Sequence, residues 1–119
     1  MDCGSPPPDA LLRGIAEFND GEYFACHETL EALWRAERGP VRRLYQGVLQ
    51  VAVALHHLEH GNRSGARSML AKALANLAPF STPCLGVDVT ALREDARRLA
   101  EGMEREDAPA GGKMRVRLV

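Results

Sequence analysis

Residues 24–35 read FACHETLEALWR, and His27, Glu28 and Glu31 are the side chains there best equipped for chemistry. His27 and Glu31 stand four residues apart, one helical turn, so an imidazole–carboxylate hydrogen bond is within reach. The same step joins Glu31 to Arg35 in the favourable order for an intrahelical ion pair. The HETLE string is one residue away from the HExxH pattern of zinc enzymes, in which both histidines bind metal and the glutamate is the base. Glu31 replaces the second histidine. A mixed site with His27 and Glu31 as ligands and Glu28 as base would support metal-dependent hydrolysis, but only with further ligands from other helices. No second E…ExxH set of the di-iron type is present.

On a 100° wheel, Tyr23, Cys26, Leu30, Leu33 and Trp34 share one apolar arc. His27 follows Trp34, then come Glu31 and Phe24, so the polar pair sits between aromatics. Ala25, Thr29, Ala32 and Ala36 form a small-residue back able to receive another helix. Glu28 lies furthest toward solvent. Trp34 reads as a core or interface anchor, and Cys26, on the apolar arc, as an inert buried thiol. The next segment is apolar over most of its circumference, with a narrow stripe of Arg43, Gln46, Gln50 and His57 interrupted by Val53. Gly47, with Ala54, favours close approach of a helix, since glycine inside a helix costs about 1 kcal/mol relative to alanine.

Folding these two segments about Gly39 sets Glu31 level with Gly47, beside Gln46, and His27 level with Val51, beside Gln50. That predicts one polar cluster of His27, Glu31, Gln46 and Gln50 with Glu28 at its mouth. His57 falls about 9 Å away along the axis. It is expected to tie down the turn at HGN (60–62) or the entry to the second helix.

The elements that position these groups are five helices. The first spans about 9–19, with Asp9 as cap, and NDG (19–21) ends it. The second spans about 22–37 and stops at RGP (38–40). The third covers 41–60. Asn62 caps the fourth, which Pro79 closes, and Asp88 or Thr90 starts the fifth, carrying Leu92, Ala96, Leu99 and Met103. No stretch alternates with period two. An all-α bundle of antiparallel helical hairpins follows, as a single domain over 9–106. Residues 1–8 read as a flexible lead and 107–119 as a flexible tail, whose last six residues could instead lie along the body as a strand-like segment.

Composition narrows the function. The 119 residues carry 15 Lys and Arg against 16 Asp and Glu, a formal charge of −1. No basic excess is available for a nucleic-acid partner. Arg42, Arg43, Arg63 and Arg67 could form a basic patch, with scattered solvated arginines as the default. The longest strongly apolar run, VLQVAVAL, is far short of the roughly 20 residues of a membrane helix. Cys3, Cys26 and Cys84 are odd in number, widely spaced and without a CxxC, which fits reduced thiols. With no secretory signal at the start, a cytoplasmic protein is expected. No phosphate loop, GxSxG elbow or Cys/His nucleophile pattern is present. One turn like that of a tetratricopeptide hairpin, at 60–66, does not make a repeat array.

FNDGEYFACHETLEALWR, followed by LYQGVLQVAVALHHLEHGNRSGARSMLAKAL, resembles the prokaryotic domain-of-unknown-function 309 family over about 18–74. That family's pattern is FNxGxYFxxHExLExxW and then QGxxQxAxAxxHxxxGNxxGAxxL. The resemblance implies a small helical domain and carries over His27, Glu28, Glu31, Trp34, Gln46, Gly47, Gln50, His57, Asn62 and Gly65, with no reaction and no known cofactor attached. Three functions are expected from these residues: a polar pocket between helices two and three that binds a small polar ligand or a partner's side chain, a His/carboxylate metal hydrolase, or a helical scaffold that binds a protein or a second copy of itself.

Overall fold

The structure is a computed structural model that describes residues 1–105 and 114–119. Five helices follow the sequence signals closely: α1 (Asp9–Asn19), α2 (Tyr23–Ala36), α3 (Arg42–Glu59), α4 (Arg63–Leu77) and α5 (Val89–Glu104). Asn62 caps α4 through a hydrogen bond from the Gly65 N–H to its side-chain oxygen, and Asp88 caps α5 in the same way from Ala91. Each satisfies an amide that would otherwise lack a helical partner. At α1 the cap is Pro8, with Asp9 in the first turn. Gly21 and Gly61 end their turns at φ +79° and +74°, where a Cβ would be strained.

Each helix packs on its neighbours in sequence, α1 on α2 through to α4 on α5. α3 is central, as its apolar circumference predicts. Leu44, Val48, Val51, Ala52, Ala54 and Leu55 are all fully buried. The glycine of α3 has the packing role expected of it. A Cβ at Gly47 would lie 2.7 Å from Cγ and Cδ2 of Leu77, so α4 approaches α3 at that point. Gly14 does the same between α1 and α2, where a Cβ would meet Leu30 at 2.7 Å and Thr29 at 3.5 Å. Thr29, on the small-residue back of α2, is therefore where α1 docks. Leu92, Ala96, Leu99 and Met103 all face the core from α5.

One expectation is corrected. Cys3 and Cys84 form a disulfide, leaving Cys26 as the free thiol. Spacing alone could not reveal this, because 81 residues separate the pair and only the folded chain brings the lead beside the α4–α5 loop. The argument from cysteine usage to a reducing compartment therefore does not apply. The lead is also joined to that loop through the Leu85 N–H, which donates to the Cys3 carbonyl at 2.8 Å.

The last six residues take the strand-like course foreseen as the alternative to a free tail. Val116 is buried, its amide and carbonyl both bonded to the Asn19 side chain. The Val119 N–H donates to the Gly86 carbonyl, and the Arg117 carbonyl accepts from Asp88. The rest of the expected tail, 107–113, lies outside the described residues. Among the described residues there is no helix long and apolar enough to cross a membrane.

Candidate functional site

The polar residues of α2 stand as their spacing requires. His27 Nε2 and Glu31 Oε2 are 2.9 Å apart, and Arg35 reaches the other Glu31 oxygen at 2.5 Å. Glu31 thus links a histidine one turn before it to an arginine one turn after it. Both His27 and Glu31 are partly buried. Glu28 is exposed and joins Glu31, Ala32 and Arg35 around an open surface hollow.

α3 meets this face about two residues further along than a hairpin centred on Gly39 would set it. Trp34 and Glu31 share a small cleft of about 80 Å³ with Gln46, Leu49 and Gln50. His27 instead lines a separate, mainly apolar hollow of about 180 Å³ with Tyr23, Phe24, Val53 and His56. The cause is local. Glu37 leaves α2 in an extended conformation, ψ 130°, so the chain climbs further before it turns back. Each α2 residue then meets a later residue of α3.

The expected four-residue cluster is therefore divided. Glu31, Gln46 and Gln50 come together with Trp34. His27 reaches them only through its bond to Glu31. Gln50 is buried, and its side-chain oxygen accepts a hydrogen bond from Asn76 of α4 at 2.8 Å, which fixes it toward α4. Gly47, placed level with Glu31 by the simple hairpin, faces α4 instead.

His57 has the turn-tying role foreseen for it. Its ring lies 3.3 Å from the Asn62 amide, and its carbonyl accepts from the Asn62 backbone N–H at 2.8 Å.

Two features were not foreseen. His56, rather than His57, faces α2, with its ring 6.1 Å from Phe24 and 4.3 Å from His60. The signal was present: Gln46, Leu49, Val53, His56 and His60 follow the 3–4 spacing of one helix face, so Val53 belongs to that stripe rather than interrupting it. The second is Arg42, whose guanidinium carbon stands 4.2 Å from the centre of the Trp34 ring while its Nε donates to the Trp34 carbonyl at 3.1 Å.

Three groups decide what the cleft can do. The Glu31 carboxylate accepts hydrogen bonds, and the Gln46 amide can both donate and accept. The Trp34 indole N–H, a donor only, is buried without a hydrogen-bond partner in the protein. As a metal site the donor set is incomplete, since among the described residues no three His, Cys, Asp or Glu side chains gather where an ion could be held. His27 and Glu31 would be two ligands without a third. Elsewhere on α2, burial and the nearby Glu17 carboxylate of α1 push the Cys26 thiol up to about 12, so it stays protonated and unreactive at neutral pH.

Comparison with known proteins finds the same segment. The family model described as "Domain of unknown function (DUF309)" matches residues 11–69, a span that takes in most of α1, all of α2 and α3 and the start of α4. The chain is 36% identical over 69 residues to the uncharacterized protein YpuF of Bacillus subtilis, covering 56% of this chain and 40% of that one. It is 26% identical over 77 residues to an uncharacterized protein of Aquifex aeolicus, covering 64% of this chain and 23% of that protein. The matched stretch is thus less than half the length of either relative.

Proposed function

Because this chain belongs, through residues 11–69, to the domain-of-unknown-function 309 family, we propose a function from the cleft's own chemistry: it binds a small polar group, presented by a small molecule or by a partner's side chain. The observation that carries this reading is the indole N–H of Trp34, buried and unpaired on a residue that lines the cleft with Glu31 and Gln46. Leaving such a donor unsatisfied costs about 1–3 kcal/mol, which a ligand bearing an acceptor would recover. Leu49 supplies an apolar wall, while Glu31 and Gln46 supply an acceptor and an adjustable amide. At about 80 Å³ the space suits a group the size of a carboxamide. An amide is also matched in kind, with a carbonyl for the indole and N–H groups for the carboxylate.

The chain has one tryptophan, so its indole resonance reports on this cleft without ambiguity. Acetamide, N-methylacetamide and acetate are titrated while the Trp34 Nε1–H cross-peak is followed in an ¹⁵N–¹H spectrum. The expected result is a saturable downfield shift with the amides, lost in Gln46→Ala and weakened in Glu31→Gln. Acetate, which repels Glu31, is expected to bind less well. With so few heavy atoms, affinities in the millimolar range are expected. An indole resonance unmoved by both amides, or moved equally in Gln46→Ala, would leave the cleft a packing feature.

A further inference from the structure

The C-terminal end of α2 carries a second, oppositely charged feature. Arg35, Arg38 and Arg42, with Glu37, line an open cavity of about 380 Å³ where α2 gives way to α3. Three arginines line it, on a protein whose net charge is −1. Their partners are unevenly assigned. Glu37 is engaged, its Oε2 accepting the Gly39 N–H at 2.9 Å. Arg35 spends one nitrogen on Glu31. Arg42 is anchored rather than neutralised: its Nε donates to the Trp34 carbonyl and its guanidinium carbon lies over the indole, so its two terminal nitrogens are left over. Arg38 is exposed and has no ion pair or hydrogen bond of its own among the described residues.

We propose that this cavity is a binding site for a phosphate group, either a free phosphate ion or the phosphoryl end of a phosphate monoester. Guanidinium forks match tetrahedral oxyanions through paired N–H donors, and arginine sheds its water more readily than lysine. The Trp34 support holds Arg42 in place before a ligand arrives, which reduces the ordering cost of binding. Glu37 and the Glu31 paired to Arg35 offset two of the three arginine charges. The donors left for a ligand are those of Arg38 and the two terminal nitrogens of Arg42, forks that match the several oxygens of a phosphate better than the two of a carboxylate. The site has no lining residue in common with the cleft of the preceding proposal and is joined to it through two contacts, Arg42 on Trp34 and Arg35 on Glu31. Either can hold if the other fails.

Trp34 again supplies the readout, here by fluorescence, because a ligand on Arg42 alters the cation against the indole. Inorganic phosphate, glycerol 3-phosphate, sulfate and acetate are titrated separately at constant ionic strength and pH 7.5. The expected result is a saturable emission change with inorganic phosphate, glycerol 3-phosphate or both, weakened tenfold or more by Arg38→Gln. Arg67→Gln, an exposed arginine elsewhere on the surface, is expected to bind as wild type. A response to glycerol 3-phosphate alone marks the phosphoryl end of a larger molecule, and a response to inorganic phosphate alone marks the free ion. Arg38→Gln is chosen because Arg38 is exposed and makes no hydrogen bond or ion pair among the described residues, so the fold is expected to persist, and circular dichroism checks it. Acetate binding as tightly as phosphate overturns the assignment, as does an equal response in wild type and Arg38→Gln. Equal emission changes with chloride at the same ionic strength would also overturn it, leaving an adventitious ion only.

Discussion

Gly47→Ala tests the contact that decides where α3 and its cleft residues stand. An exposed helical glycine gains about 1 kcal/mol on becoming alanine. At this position the added methyl would sit 2.7 Å from both Cγ and Cδ2 of Leu77 and 3.5 Å from the Ala73 carbonyl. Leu77 is fully buried, so it cannot swing into solvent, and α4 must yield. Overpacking of this kind costs about 1–3 kcal/mol. The expected net effect is a loss of up to about 2 kcal/mol, read in urea as a lower midpoint at unchanged slope. A second variant isolates the cause. Leu77→Ala alone should cost about 2–5 kcal/mol by leaving a cavity. Adding Gly47→Ala to it removes the clash and retains the propensity gain, so the double variant should be more stable than Leu77→Ala. The sign of the alanine effect therefore reverses between the two backgrounds. A Gly47→Ala protein more stable than wild type, or an alanine that destabilises in both backgrounds, would refute the reasoning. Because Gln50 and its partner Asn76 flank this contact, the same variant should shift the resonances of the Gln50 side-chain amide.

The cysteines and the α4 cap give three further predictions. With a Cys3–Cys84 bond and a buried Cys26, Ellman's reagent should find no reactive thiol in the native protein, one after denaturation and three after denaturation with reductant; three without reductant would contradict the bond. The Cys26 thiol, raised from 9.0 to about 12, stays protonated in the folded chain while the unfolded chain ionises. Stability contributed by this group is full below pH 9 and falls as pH rises toward 12, a slope that Cys26→Ala should flatten in urea titrations. Tyr23 and Tyr45, both pushed up chiefly by burial, leave a residual slope above pH 10. Asn62→Ala should cost about 1 kcal/mol through the lost cap, whereas Asn62→Asp retains the acceptor and should cost less.

Local chemistry was legible wherever cause and effect lie within a turn or two of helix. The 3–4 spacing of apolar residues fixed five helices. HGN and NDG marked turns, Asn62 announced its cap, and Gly47 its close contact. The link from His27 through Glu31 to Arg35 follows from one-turn spacing on a single helix, so it needed no knowledge of the rest of the chain. Family membership was equally readable, because the polar motif residues lie in one continuous stretch.

What depended on two distant segments was decided only by tertiary structure. The Cys3–Cys84 bond joins chain ends that sequence spacing cannot relate. The register of α2 on α3 was set by the extended backbone at Glu37, a conformation that no side-chain pattern specifies. That shift of about two residues gave Gln46 to Trp34, Leu49 and Gln50 to Glu31, and His56 rather than a glutamine to His27. Gln50 was claimed by Asn76, a partner on a third helix. The sequence alone determined which groups each helix carries, since that follows from periodicity. The tertiary structure decided which of them meet, since a small axial slip between rigid helices changes every pairing at once.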